Sequence, residues 1–217
     1  MTFRRTRQRR MGDTVESFGP SDAPIIRRDP GLLPGGATDN DFISACARGE
    51  TAALGRLFDR HHLAIHRFLA RMLGAQDPDL EELVNETFLH IYRAARTFGG
   101  RSSVKTWMTA IAANVARHHV RSETRRRAFL RVWQGRASGI GEDEGRSAEQ
   151  RDLLRRLGRL LRTLPHDLRV VFVMCDLEEI PGAEAARALG VPEGTLWRRL
   201  HEARKSLRSS LYGEGHA

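Results

Sequence analysis

Hydrophobic residues recur along most of this chain at spacings of three and four, the period of an amphipathic α-helix. No segment shows the strict alternation of a β-strand. In the first half, this pattern predicts a short helix ending near Gly49 and a longer one ending near Gly74. A third helix is predicted from Asp79 to Phe98, and a fourth after Ser103.

The stretch WQGRASGIGEDEGRSAEQ, residues 133–150, interrupts the helical pattern with glycines and charged residues and is typical of a linker. Leucine-rich helical periodicity returns after it and continues almost to the end of the chain. We therefore predict an all-α fold of two small helical domains joined by a flexible linker. The predicted division is a flexible basic extension 1–38, a first domain 39–131, a linker 132–150, a second domain 151–211 and a tail 212–217.

The end of the second domain has the pattern of a helix-turn-helix. AEAARALG is a short apolar helix, and Gly190 can adopt the left-handed conformation that ends one. PEGTLWRRLHEARKSL then places Leu196, Leu200, Ala203 and Leu207 on one face and basic residues on the rest. This indicates a DNA-reading helix, although a hydrated basic surface has the same pattern.

Composition adds a polyanionic partner to this picture. Lys and Arg number 36 against 27 Asp and Glu, a formal net charge of +9. The two cysteines, Cys46 and Cys175, lie in apolar helical patterns and are interpreted as buried free thiols of a reducing compartment. No stretch is apolar enough for a membrane span, so we expect a soluble cytoplasmic protein.

The third predicted helix carries an outward acidic face formed by Glu81, Glu82, Asn85 and Glu86. The helix dipole alone explains Glu81 and Glu82 in the first turn. Asn85 and Glu86 extend the patch beyond that turn. Because such a face repels DNA, it indicates a protein partner of complementary charge.

The next segment, residues 101–131, has the opposite charge, with eight Lys or Arg against the single acid Glu123. A run of one sign favours nucleic-acid binding over a solvated face. The small, polar loop FGGRSS before it would let a nucleotide backbone approach. Trp107 lies on the apolar stripe, so it either stacks on a base or packs in the core.

Signatures of catalysis and cofactor binding are missing from the sequence, and we expect neither an enzyme nor a cofactor. His62 and His66 lie one turn apart, but no third ligand accompanies them, so no metal site is predicted.

DLEELVNETFLHIYRAARTF, KTWMTAIAANVARHHVR, LRTLPHDLRVVF and PEGTLWRRLHEARKSL, in this order, resemble the extracytoplasmic-function (ECF) sigma factors of bacterial RNA polymerase. The resemblance covers residues 39–126 and 151–211. It implies that the first domain is sigma region 2, which holds core polymerase and melts the promoter minus-ten element. The second domain would be region 4, which reads the minus-thirty-five duplex.

The resemblance also implies roles for individual residues. The acidic face would meet the polymerase beta-prime coiled coil, within a core that also contains the beta subunit, and an anti-sigma protein is expected as a further partner. The implied polymerase contacts are Glu81, Glu82, Asn85 and Glu86. The implied minus-ten contacts are Arg101, Ser102, Ser103, Lys105, Trp107, Asn114, Arg117 and Arg121. The implied minus-thirty-five contacts are Thr195, Trp197, Arg198, Arg199, His201 and Arg204.

Some positions depart from the usual family pattern. Pro181 and Gly182 replace a polar pair, Ala185 replaces an isoleucine, and Trp197 stands where a basic residue is usual. A glycine inside a helix costs about 1 kcal/mol, so we expect a less stable second domain. The alternative function is a free-standing helix-turn-helix regulator whose first domain is an effector domain.

Overall fold

The computed structural model describes residues 36–131 and 148–213. For residues 124–131, 148–155 and 212–213 it describes the backbone alone. Every regular element in these ranges is helical, as predicted. The first domain consists of α1 (Asp39–Ala47), α2 (Thr51–Leu73), α3 (Leu80–Ala94), a 3₁₀ turn (Ala95–Thr97) and α4 (Val104–Arg131).

The second domain begins with α5 (Ala148–Thr163) and α6 (His166–Phe172), and α6 continues into a π-helical turn (Val173–Leu177). It ends with α7 (Gly182–Leu189) and α8 (Glu193–Gly213). The predicted extension up to residue 35, the linker residues 132–147 and the tail residues 214–217 lie outside the described ranges.

Local sequence explains where several helices start and stop. Thr38 and Asp41 form a reciprocal capping box at the start of α1. Gly74, with φ of 120°, ends α2. Gly190 ends α7 in the left-handed conformation, φ 66°, and so makes the predicted turn of the helix-turn-helix.

The two domains pack against each other, and their shared surface is called the domain interface below. α2 contacts α5, α6 and the π-helical turn, while α4 contacts α7. A single cluster of buried hydrophobic residues runs through both domains. The expectation of two domains joined by a linker did not include this contact surface. The domains associate because burying apolar area on both sides is favourable.

Arg169 is the main polar anchor of this interface. Its guanidinium is buried and donates hydrogen bonds to the carbonyl oxygens of Met72, Arg162 (3.0 Å) and Leu164 (2.9 Å). Met72 belongs to α2, so this side chain ties α6 to the first domain. Burial lowers the pKa of Arg169, and the positive charge of Arg162 lowers it further.

None of the helices in the described ranges combines the length and the hydropathy needed to cross a bilayer.

Candidate nucleic-acid and protein interfaces

The acidic patch on α3 is exposed, as predicted. Glu81, Glu82, Asn85 and Glu86 all face solvent, on the side opposite the buried stripe of that helix. Glu81 lies 3.4 Å from His66 of α2, and Glu86 lies 3.4 Å from His90. These ion pairs are exposed and contribute little to stability, which leaves the carboxylates available to a partner.

Leu63 extends this surface with an apolar element that the sequence reading missed. Its side chain is 62% exposed, and it precedes His66 by one turn of α2. His66 contacts Glu81, so the leucine lies next to the acidic patch. A single exposed leucine is common on protein surfaces, so Leu63 by itself does not mark a binding site.

The histidine pair of α2 has local partners instead of a shared ligand. His62 stacks on Phe58, with ring centroids 5.0 Å apart, and His66 pairs with Glu81. A separate group joins Asp77 and Asp79, before α3, to His119 of α4, at 3.6 and 3.9 Å. These contacts link the α2–α3 loop to α4.

The loop before α4 ends in a helix cap. Ser103 accepts a hydrogen bond from the backbone N–H of Thr106 (3.1 Å) and donates one to the Thr106 hydroxyl (2.8 Å). Gly100 has φ of 64°, and the space around its Cα is open. The sharp turn therefore presents the N-terminus of α4, the positive end of its dipole, at the domain surface.

The residues predicted to contact the minus-ten DNA differ in exposure. Arg101, Lys105, Asn114 and Arg121 are exposed, whereas Arg117 is half-buried at the domain interface. Ser102 is half-buried and Ser103 exposed within the loop. Their common placement on the loop and on α4 agrees with the predicted basic strip.

Of the two roles predicted for Trp107, base stacking and core packing, the structure shows core packing. The side chain is 4% exposed, and its ring packs on Phe98 with centroids 5.0 Å apart. Base stacking needs an open ring face, so Trp107 does not belong among the DNA contacts in this conformation.

Carboxylates of the second domain lie opposite the basic strip. Glu184, in the first turn of α7, accepts a hydrogen bond from the Ser103 backbone N–H at 2.8 Å. Glu178, which follows the π-helical turn, pairs with Arg71 and lies 3.8 Å from the ammonium of Lys105. The predicted basic strip thus has anionic partners that come from the other domain.

Asp167 completes this arrangement at the start of α6. One carboxylate oxygen accepts from Arg117 (3.1 Å) and the other from Arg199 of α8 (2.8 Å). A single carboxylate therefore pairs with one arginine from each predicted DNA-binding set.

The recognition helix α8 presents only part of its predicted face to solvent. Arg198 and His201 are exposed, whereas Thr195 and Arg199 are half-buried. Arg204 binds the carboxylate of Asp176 through two hydrogen bonds of 2.6 and 2.9 Å. Arg199 and Arg204 therefore each hold a carboxylate of their own domain.

The unusual residues Trp197 and Gly182 are in contact, and the size of the first accounts for the glycine at the second. A Cβ on Gly182 would lie 2.5 Å from Cζ2 of the Trp197 indole, so only glycine leaves room for the ring. The indole N–H donates to Glu193 at 3.1 Å, and the side chain is 48% exposed. Gly182 is the first residue of α7, not an interior one, so the expected helix penalty does not apply there. Ala185 is fully buried beside it.

Sequence reasoning did not select Asp167, Asp176, Glu178 and Glu184. Asp167 and Glu184 occupy helix first turns, where the dipole alone explains an acid. No local sequence signal distinguishes such a residue from one that pairs with another domain.

Two protein-family models match the chain in the order of its domains. Sigma-70 region 2 matches residues 57–126, and Sigma-70, region 4 matches residues 154–207. The fold and the two charged faces therefore define a protein of the sigma-70 class.

Curated relatives specify the branch of this class. The ECF RNA polymerase sigma factor SigM of Mycobacterium tuberculosis (strain ATCC 25618 / H37Rv) is 30% identical over 175 residues, 80% of this chain and 85% of that one. The ECF RNA polymerase sigma-E factor of Escherichia coli (strain K12) is 26% identical over 183 residues, 80% of this chain and 94% of the relative. The chain belongs to the ECF RNA polymerase sigma factors.

Solved structures agree with this fold. CnrH, in complex with the cytosolic domain of CnrY, superposes with a TM-score of 0.57 at 23% identity, covering 81% of this chain and 97% of that one. The sigma factor RpoE of Bartonella quintana, in complex with the anti-sigma factor NepR, gives a TM-score of 0.58 at 20% identity, with coverage of 73% and 96%.

Proposed function

We propose that this sigma factor acts in the cytoplasm through three separate binding surfaces and catalyses no reaction itself. The acidic patch on α3 holds core polymerase, the FGGRSS loop and α4 engage the minus-ten DNA, and α8 reads the minus-thirty-five duplex. The observation that carries this proposal is the exposure of Glu82, Asn85 and Glu86 on one helix, next to a basic strip on another. A plain DNA-binding regulator has no need of an acidic patch beside its DNA-binding face.

The start of α4 suits the nucleation of strand opening. The backbone of the loop is turned by Gly100, and the cap at Ser103 exposes the positive end of the helix dipole. Arg101, Lys105, Asn114, Arg117 and Arg121 extend positive or polar groups along one non-template strand. A base leaving the stack is then held near the loop while its phosphates are neutralised along α4.

In the second domain, Trp197, Arg198, His201 and Arg204 are the better-placed duplex contacts, because their side chains are exposed on α8. Thr195 and Arg199 are half-buried and take part after rearrangement. Trp197 offers an apolar edge next to the N-terminus of α8, which suits a thymine methyl group.

An anti-sigma protein is the proposed regulatory partner. RpoE of Bartonella quintana was solved in complex with an anti-sigma factor, and the shared fold supports the same kind of partner here. Affinity purification of the full chain from its native cells should recover a partner besides polymerase. Recovery of polymerase subunits alone contradicts this part of the proposal.

Run-off transcription with purified bacterial core polymerase and a library of promoter fragments tests the proposed division of work. We expect transcripts from a defined subset of fragments only when core and this protein are both present. Duplex binding by the protein alone, with unchanged transcription by core, would instead support the free-standing regulator.

The polymerase surface is tested by Glu86→Lys. Charge reversal should weaken core binding about tenfold, equivalent to about 1.4 kcal/mol, and leave duplex DNA affinity unchanged. Biolayer interferometry against immobilised core measures the first quantity, and Glu202→Lys, the same charge change on α8, is the control for core binding. An equal loss of core and duplex affinity for Glu86→Lys means that the patch is structural.

A further inference from the structure

Three side chains of the kinds that bind metal ions converge between the α2–α3 loop and α4. Asp77 belongs to that loop, Asp79 lies at the start of α3, and His119 belongs to α4. One ligand atom of each residue lies within 4.8 Å of the other two. Nε2 of the His119 imidazole is 3.6 Å from a carboxylate oxygen of Asp77 and 3.9 Å from one of Asp79. These three residues are called the Asp–Asp–His cluster below.

The distances within the cluster are too long for hydrogen bonds and are close to those between two ligands of one ion. A direct histidine–carboxylate hydrogen bond is shorter, as in the pair of His61 and Asp39 at 2.7 Å in the same domain. Ligand atoms of a tetrahedral ion, with bond lengths of about 2.0–2.2 Å, are separated by about 3.3–3.6 Å. A small adjustment of the side chains therefore brings the imidazole nitrogen and both oxygens onto one cation.

The local sequence positions both carboxylates. Pro78 separates Asp77 from Asp79 and restricts the backbone between them. One oxygen of Asp77 accepts a hydrogen bond from the backbone N–H of Asp79 at 3.1 Å, while the other oxygen faces His119. Asp79 is the N-cap residue of α3, but its side chain makes no capping hydrogen bond and lies toward His119 instead. The Asp79 carboxylate is therefore not used to cap the helix, although aspartate at this position usually is.

We propose that the Asp–Asp–His cluster binds one divalent transition-metal ion of the Zn²⁺ type, which ties the start of α3 to α4. Two carboxylates and a neutral imidazole supply two negative charges, and a divalent cation balances them. The nitrogen ligand favours Zn²⁺ over Mg²⁺ and Ca²⁺, because the latter two prefer oxygen ligands alone. Water completes the coordination of the ion.

The exposure of the cluster suits an ion that enters from solvent and is then held. His119 and Asp77 keep 13% and 20% of their side-chain surface exposed, whereas Asp79 keeps 43%. The ion therefore enters, and keeps its water, on the Asp79 side. Partial exclusion of water strengthens the attraction between the ion and the carboxylates. Without a cation, the two carboxylates repel each other at this separation.

A bound ion connects the two helices that carry the charged surfaces of the first domain. Glu81 and Glu82 follow Asp79 on α3, and Arg121 follows His119 on α4. The ion thus fixes the spacing between the acidic patch and the basic strip. The inference does not depend on the roles proposed for these two surfaces, because its test needs neither polymerase nor DNA.

The test uses the full chain, freed of metal with a chelator, and isothermal titration calorimetry with Zn²⁺ as the only titrant. His119→Gln removes the nitrogen ligand. His66→Gln is its matched control, because His66 faces the single carboxylate of Glu81, at 3.4 Å. Asp79→Asn is the second variant of the cluster, and Asp59→Asn, at an exposed position of α2, is its control. Thermal unfolding by circular dichroism checks the fold, and Asp79→Asn replaces His119→Gln if the latter does not fold.

We expect one Zn²⁺ per chain in the wild type and in both controls. Loss of a group that only orients a metal ligand weakens binding by about 10–100-fold, so both variants of the cluster should lose at least as much affinity. Zn²⁺ at about 100 times its Kd should raise the Tm of the wild type by about 5–10 °C, and Mg²⁺ at the same concentration by much less. Equal Zn²⁺ affinity in cluster and control variants overturns the proposal. An equal rise in Tm with Mg²⁺ does so too, because the cluster is then only an acidic surface.

Cobalt substitution distinguishes the cluster from the two cysteines as the place of metal binding. Co²⁺ bound by nitrogen and oxygen shows d–d absorption alone, whereas a thiolate ligand adds a charge-transfer band in the near ultraviolet. We expect d–d absorption without that band, and its loss in Asp79→Asn. A charge-transfer band places the ion at Cys46 or Cys175 and contradicts the proposal.

Hydrogen exchange tests whether the ion ties the loop to α4. Zn²⁺ should slow exchange of the backbone amides of residues 74–80 in the wild type and leave Asp79→Asn unchanged. Unchanged exchange in the wild type with Zn²⁺ bound means that the ion does not restrain this loop and overturns the proposal. Failure of run-off transcription with core, by contrast, removes the proposed function and leaves the metal site in place.

Discussion

The two helices proposed to bind DNA, α4 and α8, are both basic, but they obtain their counter-charges from different places. Lys105, Arg117 and the N-terminus of α4 meet carboxylates of the other domain. On α8, Arg204 meets Asp176 of its own domain. Charge compensation on α4 is therefore lost when the domains separate, whereas compensation on α8 persists.

This difference indicates that the two surfaces respond to opening in different ways. Separation of the domains would free the cations of α4 from these carboxylates, whereas Arg204 of α8 would keep its pair with Asp176. Asp167 is the exception, since it pairs with Arg117 and Arg199 together. The predictions below address first the contacts across the domain interface and then those within the second domain.

The largest expected effect comes from Arg169→Met, which removes the polar anchor of the interface. Three buried carbonyl oxygens then lose their donor, so the free energy of unfolding should fall by about 3 kcal/mol. Urea denaturation followed by circular dichroism measures this. Arg208→Met, an exposed arginine of α8, should change it by less than about 0.5 kcal/mol. A loss no larger than that of the control would show that the two domains do not stabilise each other through Arg169.

The next prediction concerns the stability of the protein in acid, which depends on His166. The ring nitrogens of this residue are buried. Burial lowers its pKa from 6.5 to about 4, with help from Arg117 of α4 and Arg169 of α6, while Asp167 opposes the shift. Between these values the unfolded chain binds more protons than the folded one. The free energy of unfolding should therefore fall as pH decreases from 6.5 to about 4, by at most about 3 kcal/mol.

His166→Gln is the control for this pH dependence, because glutamine does not titrate. Urea denaturation at intervals across the range should show a shallower slope for the variant. Glu184 also loses stabilisation in acid, but its pKa lies below the ordinary 4.5, so its contribution falls at the lower end. An identical slope in wild type and His166→Gln contradicts the assignment.

The smallest effect lies within the second domain, at Gly182→Ala. Alanine at a helix start is ordinarily harmless, but here its Cβ meets the Trp197 ring, so we expect a loss of about 1–2 kcal/mol. In a Trp197→Ala background the same change should be neutral or stabilising. Thermal denaturation of the four proteins gives the coupling energy, and additive effects would mean that the two residues do not depend on each other.

Helix periodicity and charge were sufficient to predict most of the fold and the positions of the two basic helices α4 and α8. The apolar stripe of Leu196, Leu200, Ala203 and Leu207 is buried as expected. The acidic patch on α3 is exposed as expected. Both follow from local rules, because a helix buries one stripe and exposes the rest whatever its neighbour.

Local rules could not decide features that depend on residues distant in the chain. The sequence pattern allowed Trp107 either to stack on a base or to pack in the core, and its contact with Phe98 places it in the core. Gly182 and Trp197 were separate departures from the family pattern until their contact made them one feature.

The sequence by itself determined the helices, their amphipathic faces and the sign of each surface, since all of these are carried by short-range spacing and composition. The class of protein followed from the resemblance of four motifs to a known family. Only the tertiary structure decided that the two domains touch and that Asp167, Glu178 and Glu184 lie against the basic strip. The physical reason is that an ion pair depends on distance in space, and residues 50 or more positions apart acquire such a distance only when the chain folds.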